Sequence, residues 1–454
     1  MGTGVAGALA ALEAADAGCE VAVVCKGGAA ETNTAVAQGG VAVPLGPDDD
    51  VEAHVRDTLQ VGLGLCDSDV VGHVVRGAHA AVDRLEKWGM VWDAYEGRPD
   101  LVREGGHTHA RILHARGDAT GCAIQEVLVK RMRGHPRVTV FENTFAIDLL
   151  VDEQGRCDGI LAQGEEGRPS VFRGGSVVLA AGGAGQVFRE TTNPPCATGD
   201  GLAMAARAGA SIRDMEFVQF HPTTLYVAGA TRFLVSETVR GAGAVLLDRE
   251  GRRFMTEEHP DAELAPRDVV ARAIFRRMVE TRDTAVWMDL SRVKGDPRAR
   301  FPAIAEICSF FGLDIRTDPI PVRPSAHYFV GGVETDLDGR TSLPGLYACG
   351  EAASSGLHGA NRLGSNSLLE GLVLGASAGR HAAAEAHGVH LGRHPVPLEG
   401  PDAGGAGALH LDLEDMAVSL RSLMSRNAGI ERDGDELSEA GERLAFWRRY
   451  LLSF

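Results

Sequence analysis

Apolar and polar residues alternate along the first 215 residues in a pattern that predicts helices and buried strands in turn. Residues 8–17, which are rich in Ala and Leu, predict a helix that ends at Gly18 as at a C-cap. The apolar run at 20–25 predicts a buried strand. Apolar spacing near 3.6 predicts further helices over residues 51–61, 70–88 and 118–133.

Short apolar segments separated by turn residues follow these helices and predict a meander. Its strands are expected at residues 138–141, 145–151, 157–163 and 170–173. The run SVVLAA at 176–181 predicts another buried strand, and residues 199–209 predict a helix. The first 215 residues therefore predict a nucleotide-binding type of α/β fold.

The pattern changes between about residues 213 and 330, where the spacing predicts strands at 233–236 and 244–247 and helices at 266–281 and 302–311. The earlier strand pattern then resumes in the segments VGGVETD and GLYACGEA, before an Ala-rich helix at 366–386. The order indicates one fold, an insertion, and a return to the first fold.

The last part of the chain begins with a segment rich in Gly and Pro. Residues 387–408 predict a linker, and residues 411–426 and 436–452 predict two amphipathic helices.

Length and composition limit the class of protein. A chain of 454 residues fits two to three domains at roughly 100–200 residues each. Its 58 glycines are close to twice the usual share of about 7%, which indicates many tight turns or close approaches of backbone to a ligand. The net charge of −17 argues against a nucleic-acid or anionic-membrane partner, because both require a basic face.

The cysteines and the apolar runs point to a compartment. None of the eight cysteines forms a Cys-x-x-Cys pair, so free thiols in a reducing environment are expected, without a disulfide framework or zinc site. No apolar run approaches the roughly 18 residues of a membrane span. The Ala-rich start has no basic region before it, unlike a signal peptide. We expect a cytoplasmic protein.

The segment Gly2-Thr3-Gly4-Val5-Ala6-Gly7 is a G-x-G-x-x-G motif that opens the first predicted helix. Such glycines let the backbone approach a pyrophosphate, whose charge the helix N-terminus stabilises. Two features depart from the usual pattern: only Met1 precedes the motif, and Cys25-Lys26 stand where an acid is expected after the next strand. We expect the missing strand to leave two neighbouring strands with unpaired backbone groups.

Two further segments have open interpretations. The small residues from Asn33 to Gly40 are either a surface loop or a backbone segment that wraps a planar ring. Three histidines in the segment 103–114 have metal-like spacing, but nothing acidic or sulfur-bearing is placed to complete a tetrahedral zinc site. A polar, glycine-flexed loop that lines a substrate site is favoured, and no metal ligand is predicted.

Polar residues in the second half of the chain suggest a site for a diacid. His221 and His327, with Arg267 and Arg362, would suit a dicarboxylate if they converge, because arginine binds a carboxylate in a bidentate manner. Taken singly, His327 could equally be a satisfied core histidine. Ser365 or Asn366 is expected to cap a helix whose positive end can stabilise charge on a reduced ring.

Taken together, the motifs resemble those of the succinate dehydrogenase/fumarate reductase flavoprotein superfamily, and most closely its L-aspartate oxidase family. The matching segments occur in the family's order and cover essentially the whole chain: GTGVAG, VAQGG, REGGHTHARILH, TNPPCATGDG, FHPT, ELAPRDVVARAI, AHYFVGGV and GLHGANRLGSNSLLEGLVLG.

The resemblance implies an α/β fold in which a Rossmann-like FAD-binding domain carries an inserted α+β capping domain and a short C-terminal helical segment. The implied bounds are 1–215 with 331–390, 216–330, and 408–454. The absent first strand and the short last domain suggest a chain clipped at both ends.

The resemblance also implies which residues hold non-covalent FAD. Asn33 replaces the histidine that bonds covalently to flavin in the respiratory members, which argues against a respiratory subunit. Glu351 is an acid placed for a sugar hydroxyl, and Ser367 and Leu368 lie at a helix start over the pyrimidine. The remaining implied contacts are Thr3, Gly4, Val5, Ala6, Gly7, Lys26, Thr34, Ala35, Val36, Ala37, Gln38, Gly39, Gly40, Phe145, Ala146 and Asp200.

For the substrate, the resemblance makes Arg267 the proton donor in fumarate reduction, a role that needs a relay because an ordinary arginine is too basic. Glu104 matches the acid that would pair with the ammonium group of aspartate. The implied carboxylate-binding residues are His221, Thr223, Ser236, Glu237, His327 and Arg362.

The implied reaction converts L-aspartate to iminoaspartate, with oxygen or fumarate as electron acceptor, and is the first step of NAD biosynthesis through quinolinate. Quinolinate synthase would receive the imine. Two alternatives remain open: a soluble fumarate reductase or succinate dehydrogenase flavoprotein, and a non-catalytic flavoprotein fragment.

Overall fold

The computed structural model describes residues 1–227, 232–389 and 412–451. The helices are α1 (Val5–Asp16), α2 (Val51–Val61), α3 (Ser68–Arg76), α4 (Ala78–Lys87), α5 (Thr120–Arg133), α6 (Asp200–Arg207), α7 (Glu237–Gly241), α8 (Met255–Glu258), α9 (Arg267–Thr281), α10 (Pro297–Arg300), α11 (Pro302–Phe310), α12 (Asn366–Ala386), α13 (Leu413–Asn427) and α14 (Gly434–Leu451).

The strands are shorter and more numerous than the hydrophobic pattern predicts. They are β1 (Val21–Val24), β2 (Val41–Ala42), β3 (Ala94–Tyr95), β4 (Arg98–Pro99), β5 (Leu101–Val102), β6 (Ile112–Leu113), β7 (Val138–Phe141), β8 (Phe145–Val151), β9 (Cys157–Gln163), β10 (Pro169–Arg173), β11 (Val177–Leu179), β12 (Ile212–Arg213), β13 (Val218–Leu225), β14 (Val245–Leu247), β15 (Val286–Asp289), β16 (Ile320–Phe329), β17 (Gly332–Glu334), β18 (Leu346–Ala348) and β19 (Ala353–Ser354).

Two parallel strand pairs flank the start of the chain. β1 pairs with β7, and β11 pairs with β18. Met1 and Gly2 bridge the two pairs: the Gly2 amide donates to the Val24 carbonyl, and the Met1 ammonium donates to the carbonyl of Val178. Among the described residues, no strand hydrogen-bonds to both β1 and β11.

Helices α1 and α12 pack closely because α12 presents small residues toward its neighbour. A Cβ added at Gly371, Gly375 or Gly379 would overlap atoms of Val5, Ala6 or Ala10. These glycines recur every fourth residue and therefore form one ridge. The ridge lets the two helix backbones approach at a distance that larger side chains would prevent.

The inserted segment forms its own sheet and core. Its four antiparallel strands have the order β13-β16-β15-β14, and helix α9 packs against it. Val270 and Ile274 of α9 join Val286 and Val322 of the sheet in a buried apolar cluster. The predicted sequence of fold, insertion and return is thus confirmed as a mixed α/β architecture.

Two irregularities interrupt the pairing of β13 with β16. Gln219 pairs with Tyr328 and Phe220 with Ala326, so His327 is an extra residue on β16. The second irregularity lies on β13 between His221 and Thr224. A β-bulge re-aims the side chains beside it, and both candidate histidines lie at such positions.

Some predicted elements are wrong. The single helix expected over 70–88 is two helices separated at Gly77, where a Cβ would crowd Val373. Residues 233–236 form no strand but only an isolated bridge at Leu234, before Ser236 precedes α7. Strands β13 and β16 were missed because polar residues interrupt their alternation.

The other predicted helices and strands agree with the structure to within a few residues, whereas β2 to β6, β12 and β15 were not predicted. The meander β8–β9–β10 is antiparallel, and α13 and α14 correspond to the two helices expected near the end. The predicted linker at 387–408 lies mostly outside the described residues. No helix in the described parts of the chain has both the length and the apolar character to cross a bilayer.

Candidate active site

One pocket is lined both by the glycine-rich start of the chain and by the candidate substrate residues. From the predicted substrate set it is lined by Glu104, His221, Ser236, Glu237, Arg267, His327 and Arg362. From the predicted cofactor set it is lined by Thr3, Gly4, Val5, Ala6, Lys26, Asn33, Thr34, Val36, Ala37, Gln38, Gly39, Gly40, Phe145, Ala146, Asp200, Glu351, Ser367 and Leu368. The convergence that sequence alone could not establish is therefore present.

Three predicted residues do not line this pocket. Gly7 lies against the backbone of Gly2, where a Cβ would overlap the carbonyl oxygen. Ala35 belongs to the small-residue loop but makes only a turn contact with Thr32. Thr223 is fully buried, and its hydroxyl donates to the carbonyl of Val235.

The cofactor end of the pocket is shaped by backbone. Helix α1 has Gly4 as its N-cap and no side-chain cap, so its N-terminus opens on the pocket. The Val5 amide donates to the Thr34 hydroxyl at 3.0 Å, which joins the motif to the small-residue loop. A Cβ at Gly40 would overlap the carbonyl of Leu113. An uncapped helix start between glycines suits a pyrophosphate.

The acid expected near a sugar hydroxyl is partly buried. Glu351 accepts hydrogen bonds from the Phe329 amide at 3.0 Å and from the Asn33 amide nitrogen at 2.9 Å. Burial raises the pKa of Glu351. The Asn33 side-chain oxygen is buried and has no hydrogen-bond partner among the residues that the structure describes, so a polar group beside it would be favoured. The residues present fit FAD.

Lys26, the residue that replaces the expected acid, makes an ion pair with Asp200 and contacts Thr198. The pair joins the end of β1 to the start of α6. Gln125 was missed by the sequence analysis: its buried amide donates to the carbonyls of Thr3 and Ala29, both at 2.8 Å. The only indication in the sequence was that Gln125 is a polar residue on the apolar face of a predicted helix.

Arg267 is the first residue of α9 and follows Pro266, which suits the first turn of a helix. Its Nε donates to Glu237 Oε2 at 2.8 Å, and its Nη1 contacts Gln219. Burial alone would lower the pKa of Arg267, but the carboxylates of Glu237 and Glu104 outweigh burial and raise it. Arg267 is therefore a cation in the resting site.

Glu237 is buried between two arginines. Burial would raise its pKa, but Arg267 and Arg240 hold the pKa at about 2. Arg240 lies 3.6 Å from Glu237 Oε1 and donates to the carbonyl of Glu263 at 2.6 Å. Glu237 is thus hydrogen-bonded to Arg267 and lies beside Arg240 at ion-pair distance.

Arg362 differs from Arg267 because it has no carboxylate partner at ion-pair distance within the described residues. It donates instead to the Gln219 oxygen and, at 2.7 Å, to the Ser367 hydroxyl. The Tyr328 ring stacks on its guanidinium, with the carbon 4.5 Å from the ring centre. Burial and the nearby Arg267 lower the pKa of Arg362 to about 10. Its charge is available for an anion.

The two histidines face each other at 5.3 Å between ring centres. Burial, with nearby cations, lowers the pKa of both His221 and His327 well below the usual value. The Thr223 amide donates to His221 Nδ1, so the neutral ring carries its proton on Nε2. Thr192, which the sequence analysis missed, contacts His327 Nδ1 at 2.8 Å.

Glu104 lies on the loop between β5 and β6 and is buried. Its Oε2 accepts from the Ser365 hydroxyl at 2.8 Å. Ser365 is the N-cap residue of α12, one of the two predicted, but it has a left-handed backbone (φ 60°) and its side chain makes no capping hydrogen bond to the helix. Strain of this kind is typical of functional positions.

The histidine-rich loop at 103–114, which contains Glu104, is held by buried contacts with other segments. Arg111 is completely buried and pairs with Asp49 and Asp57 at 2.7 and 2.8 Å. His107 lies against the Gly364 carbonyl at 3.0 Å. Within the described ranges, no group of three or more His, Cys, Asp or Glu side chains could hold a metal ion.

Comparison with known proteins agrees with this geometry. The FAD binding domain family matches residues 1–368. The L-aspartate oxidase of Streptomyces coelicolor is 46% identical over 98% of this chain and 78% of its own length. That of Bacillus subtilis is 46% identical over 80% of this chain and 67% of its own.

A solved structure gives the same result for the fold. A variant of E. coli quinol fumarate reductase FrdA superposes with a TM-score of 0.89 at 32% identity, and the match covers 99% of this chain and 81% of that one. The chain therefore belongs to the L-aspartate oxidase family, within the FAD-binding flavoproteins related to fumarate reductase.

Proposed function

We propose that this protein is an FAD-dependent L-aspartate oxidase that converts L-aspartate to iminoaspartate. The observation that carries the proposal is the convergence of two arginines, two neutral histidines and Glu104 on the pocket that the glycine-rich cofactor segment also lines. Cationic and donor groups at one end suit a diacid, and the carboxylate among them suits its amino form.

The cofactor is proposed to be non-covalent FAD. The pyrophosphate would lie at the uncapped start of α1, and the small-residue loop Asn33–Gly40 would lie along the ring system. Ser367 and Leu368 would contact the pyrimidine at the start of α12. When bound, FAD supplies the hydride acceptor. Asn33 has no nucleophile for a covalent bond to it.

Arg362, His221 and His327 are proposed to bind the substrate carboxylates. Arg362 contributes a guanidinium that no carboxylate in the described residues neutralises, His221 contributes an Nε2–H donor, and His327 contributes a second imidazole. Because the site is buried, these hydrogen bonds form in a medium of lower dielectric constant than water and are correspondingly strong. The Thr223 amide fixes the tautomer of His221, and Ser236 and Glu237 complete the lining of the pocket.

Glu104 is proposed to select the amino acid over the simple diacid. Its carboxylate faces the same pocket as Arg267, and the Ser365 hydroxyl fixes one of its oxygens. An ammonium group beside it would gain a charge-assisted hydrogen bond.

Arg267 is proposed to hold the transferable proton. Glu237 and Arg240 support this role as a relay, because the carboxylate is the group that could return a proton to Arg267. General acid catalysis by a placed group contributes about 10²- to 10⁴-fold.

Further parts of the proposal concern context. Oxygen and fumarate are the proposed electron acceptors, and quinolinate synthase is the proposed recipient of the imine in NAD biosynthesis. Eight free cysteine thiols support a cytoplasmic location. The proposed domains are FAD-binding (1–215 with 331–390), capping (216–330) and C-terminal helical (408–454).

The test is anaerobic mixing of the purified yellow protein with L-aspartate or succinate, followed by an aerobic peroxide assay. We expect L-aspartate to bleach the flavin and to generate peroxide. Bleaching by succinate alone would favour a fumarate reductase or succinate dehydrogenase. A protein that stays colourless after FAD addition would indicate a non-catalytic fragment.

A further inference from the structure

Gln219 lies between the two arginines of the substrate site. Its Oε1 accepts from Arg267 Nη1 at 3.3 Å, and from Arg362 Nε and Nη2 at 3.2 and 2.9 Å. The side chain is buried and does not line the pocket. The neutral Oε1 of Gln219 therefore joins the guanidinium groups of Arg267 and Arg362 on the side away from the pocket.

The orientation of this amide is fixed by its partners. Gln219 Nε2 donates to the main-chain carbonyl of Arg362 and to Asn361 Oδ1, both at 2.8 Å. A guanidinium can only donate and a main-chain carbonyl can only accept, so the amide has one orientation that satisfies all of them. Both the oxygen and the nitrogen of the Gln219 amide are thus engaged in hydrogen bonds.

The same network ties together three separate segments of the chain. Gln219 lies on β13, opposite Tyr328 on β16, whose ring stacks on Arg362. Asn361 also donates to Asp268, the residue after Arg267 on α9, at 3.1 Å. Movement of either arginine relative to the other would break hydrogen bonds in this network.

The neutrality of Gln219 matters because the two guanidiniums repel each other. A carboxylate at this position would hold them together but would also compensate the charge of Arg362. An amide oxygen holds both and leaves that charge for an external anion. Gln219 therefore combines two requirements that an acid could not meet.

We propose that Gln219 is a positioning residue that sets the distance between the proton donor, Arg267, and the carboxylate anchor, Arg362. The inference rests on the proposed function, from which those two roles are taken. Gln219 acts only through the arginines and does not touch the substrate. A proton donor displaced by about 1 Å can lose a large part of its effect.

The test uses the FAD-loaded protein, reduced anaerobically and mixed rapidly with fumarate, together with a succinate titration. Gln219→Met keeps the length of the side chain and removes the acceptor. We expect the saturating reoxidation rate to fall about tenfold and its solvent deuterium isotope effect to rise, because proton transfer becomes slower. The half-saturating fumarate concentration and the succinate Kd should change less than about threefold.

Two further substitutions of Gln219 and one control test the same inference. Gln219→Glu should raise the succinate Kd about tenfold or more, because its carboxylate compensates Arg362. Gln163→Met, at the exposed end of β9, is the matched control and should leave every quantity unchanged. If Gln219→Met fails to fold, Gln219→Asn removes one methylene group and withdraws the acceptor from the two arginines. The reoxidation rate and the isotope effect of that variant then decide in the same way.

An unchanged rate in Gln219→Met, or a lower rate with an unchanged isotope effect, would overturn the inference. Neither result would affect the proposed function, which L-aspartate bleaching of the wild-type protein tests separately. A wild-type protein that neither binds succinate nor reacts with fumarate would overturn the assigned roles of the arginines and the inference with them.

Discussion

The two ends of the pocket are built in different ways. The cofactor end is made from backbone and small side chains. Its backbone segments pack most closely at glycines such as Gly40, which lies against the carbonyl of Leu113. The substrate end is made from buried charged and polar side chains that hold one another, as Gln219 holds Arg267 and Arg362. The difference predicts that the cofactor end is sensitive to added atoms and the substrate end to removed charges.

Removal of a charge from the substrate end should have the largest effect. Arg267→Leu deletes the proposed proton donor and leaves Glu237 without its main partner. We expect aspartate oxidation and fumarate reduction to fall by about 10³-fold or more, with FAD still bound. Steady-state rates and the flavin absorbance check both statements.

Arg272→Leu is the matched control, because it lies on the same helix at the surface and pairs only loosely with Asp268. We expect nearly full activity from it. Loss of flavin colour in Arg267→Leu would contradict the separation of the two ends.

An added atom should damage the cofactor end. Gly40→Ala would place a Cβ on the carbonyl oxygen of Leu113, so that the loop must shift. We expect the FAD dissociation constant to rise about 100-fold, equivalent to roughly 3 kcal/mol of overpacking strain. Titration of apoprotein with FAD, followed by flavin fluorescence, measures it.

Gly46→Ala serves as control, since a Cβ there would meet only ordinary contacts at 3.5 Å or more. Equal FAD affinity of the two variants would show that the loop is more tolerant than its packing implies.

Neutralisation of the Glu104 carboxylate should lower activity less than the changes above, and by an amount that depends on the substrate. We expect Glu104→Gln to lower kcat/KM for L-aspartate about 10- to 100-fold, because a buried charge pair with the ammonium is lost. Fumarate reduction should fall less than about threefold, since fumarate has no ammonium group. The exposed Glu52→Gln is the control. Equal loss of both activities would contradict the ammonium-pairing role.

The smallest expected effect concerns stability behind the substrate loop. Burial lowers the pKa of His54 to about 4 and that of His107 to about 3. The unfolded chain therefore binds protons below about pH 6.5 that the folded protein does not, and stability falls as the pH decreases. Between pH 6.5 and 5, each histidine should lower the free energy of unfolding by about 1.6 kcal/mol.

Urea unfolding at pH 7 and pH 5 measures this loss. His54→Gln should reduce it, whereas substitution of the exposed His73 by Gln should not. A loss of the same size in His54→Gln would mean that other groups cause the acid sensitivity.

The sequence predicted the elements that form the cofactor end, but not the hydrogen-bond partners of the substrate side chains, for a physical reason. The glycine motif, α1 and α12 depend on local spacing, which a sequence displays directly. Gln219, Thr192 and Tyr328 depend on pairing between distant strands and on two bulges, which local spacing does not encode. One signal existed for Gln219: it lies two residues before His221 and so shares its face of a strand.

The glycine ridge of α12 has a consequence for cofactor release. Because α1 and α12 pack backbone to backbone, and the N-terminus of each lies at the pocket, the pyrophosphate and the flavin ring would share one stiff support. Thermal loosening of this helix pair would release the phosphate and ring contacts together. Heating should therefore expel the cofactor in a single step rather than through a half-detached state.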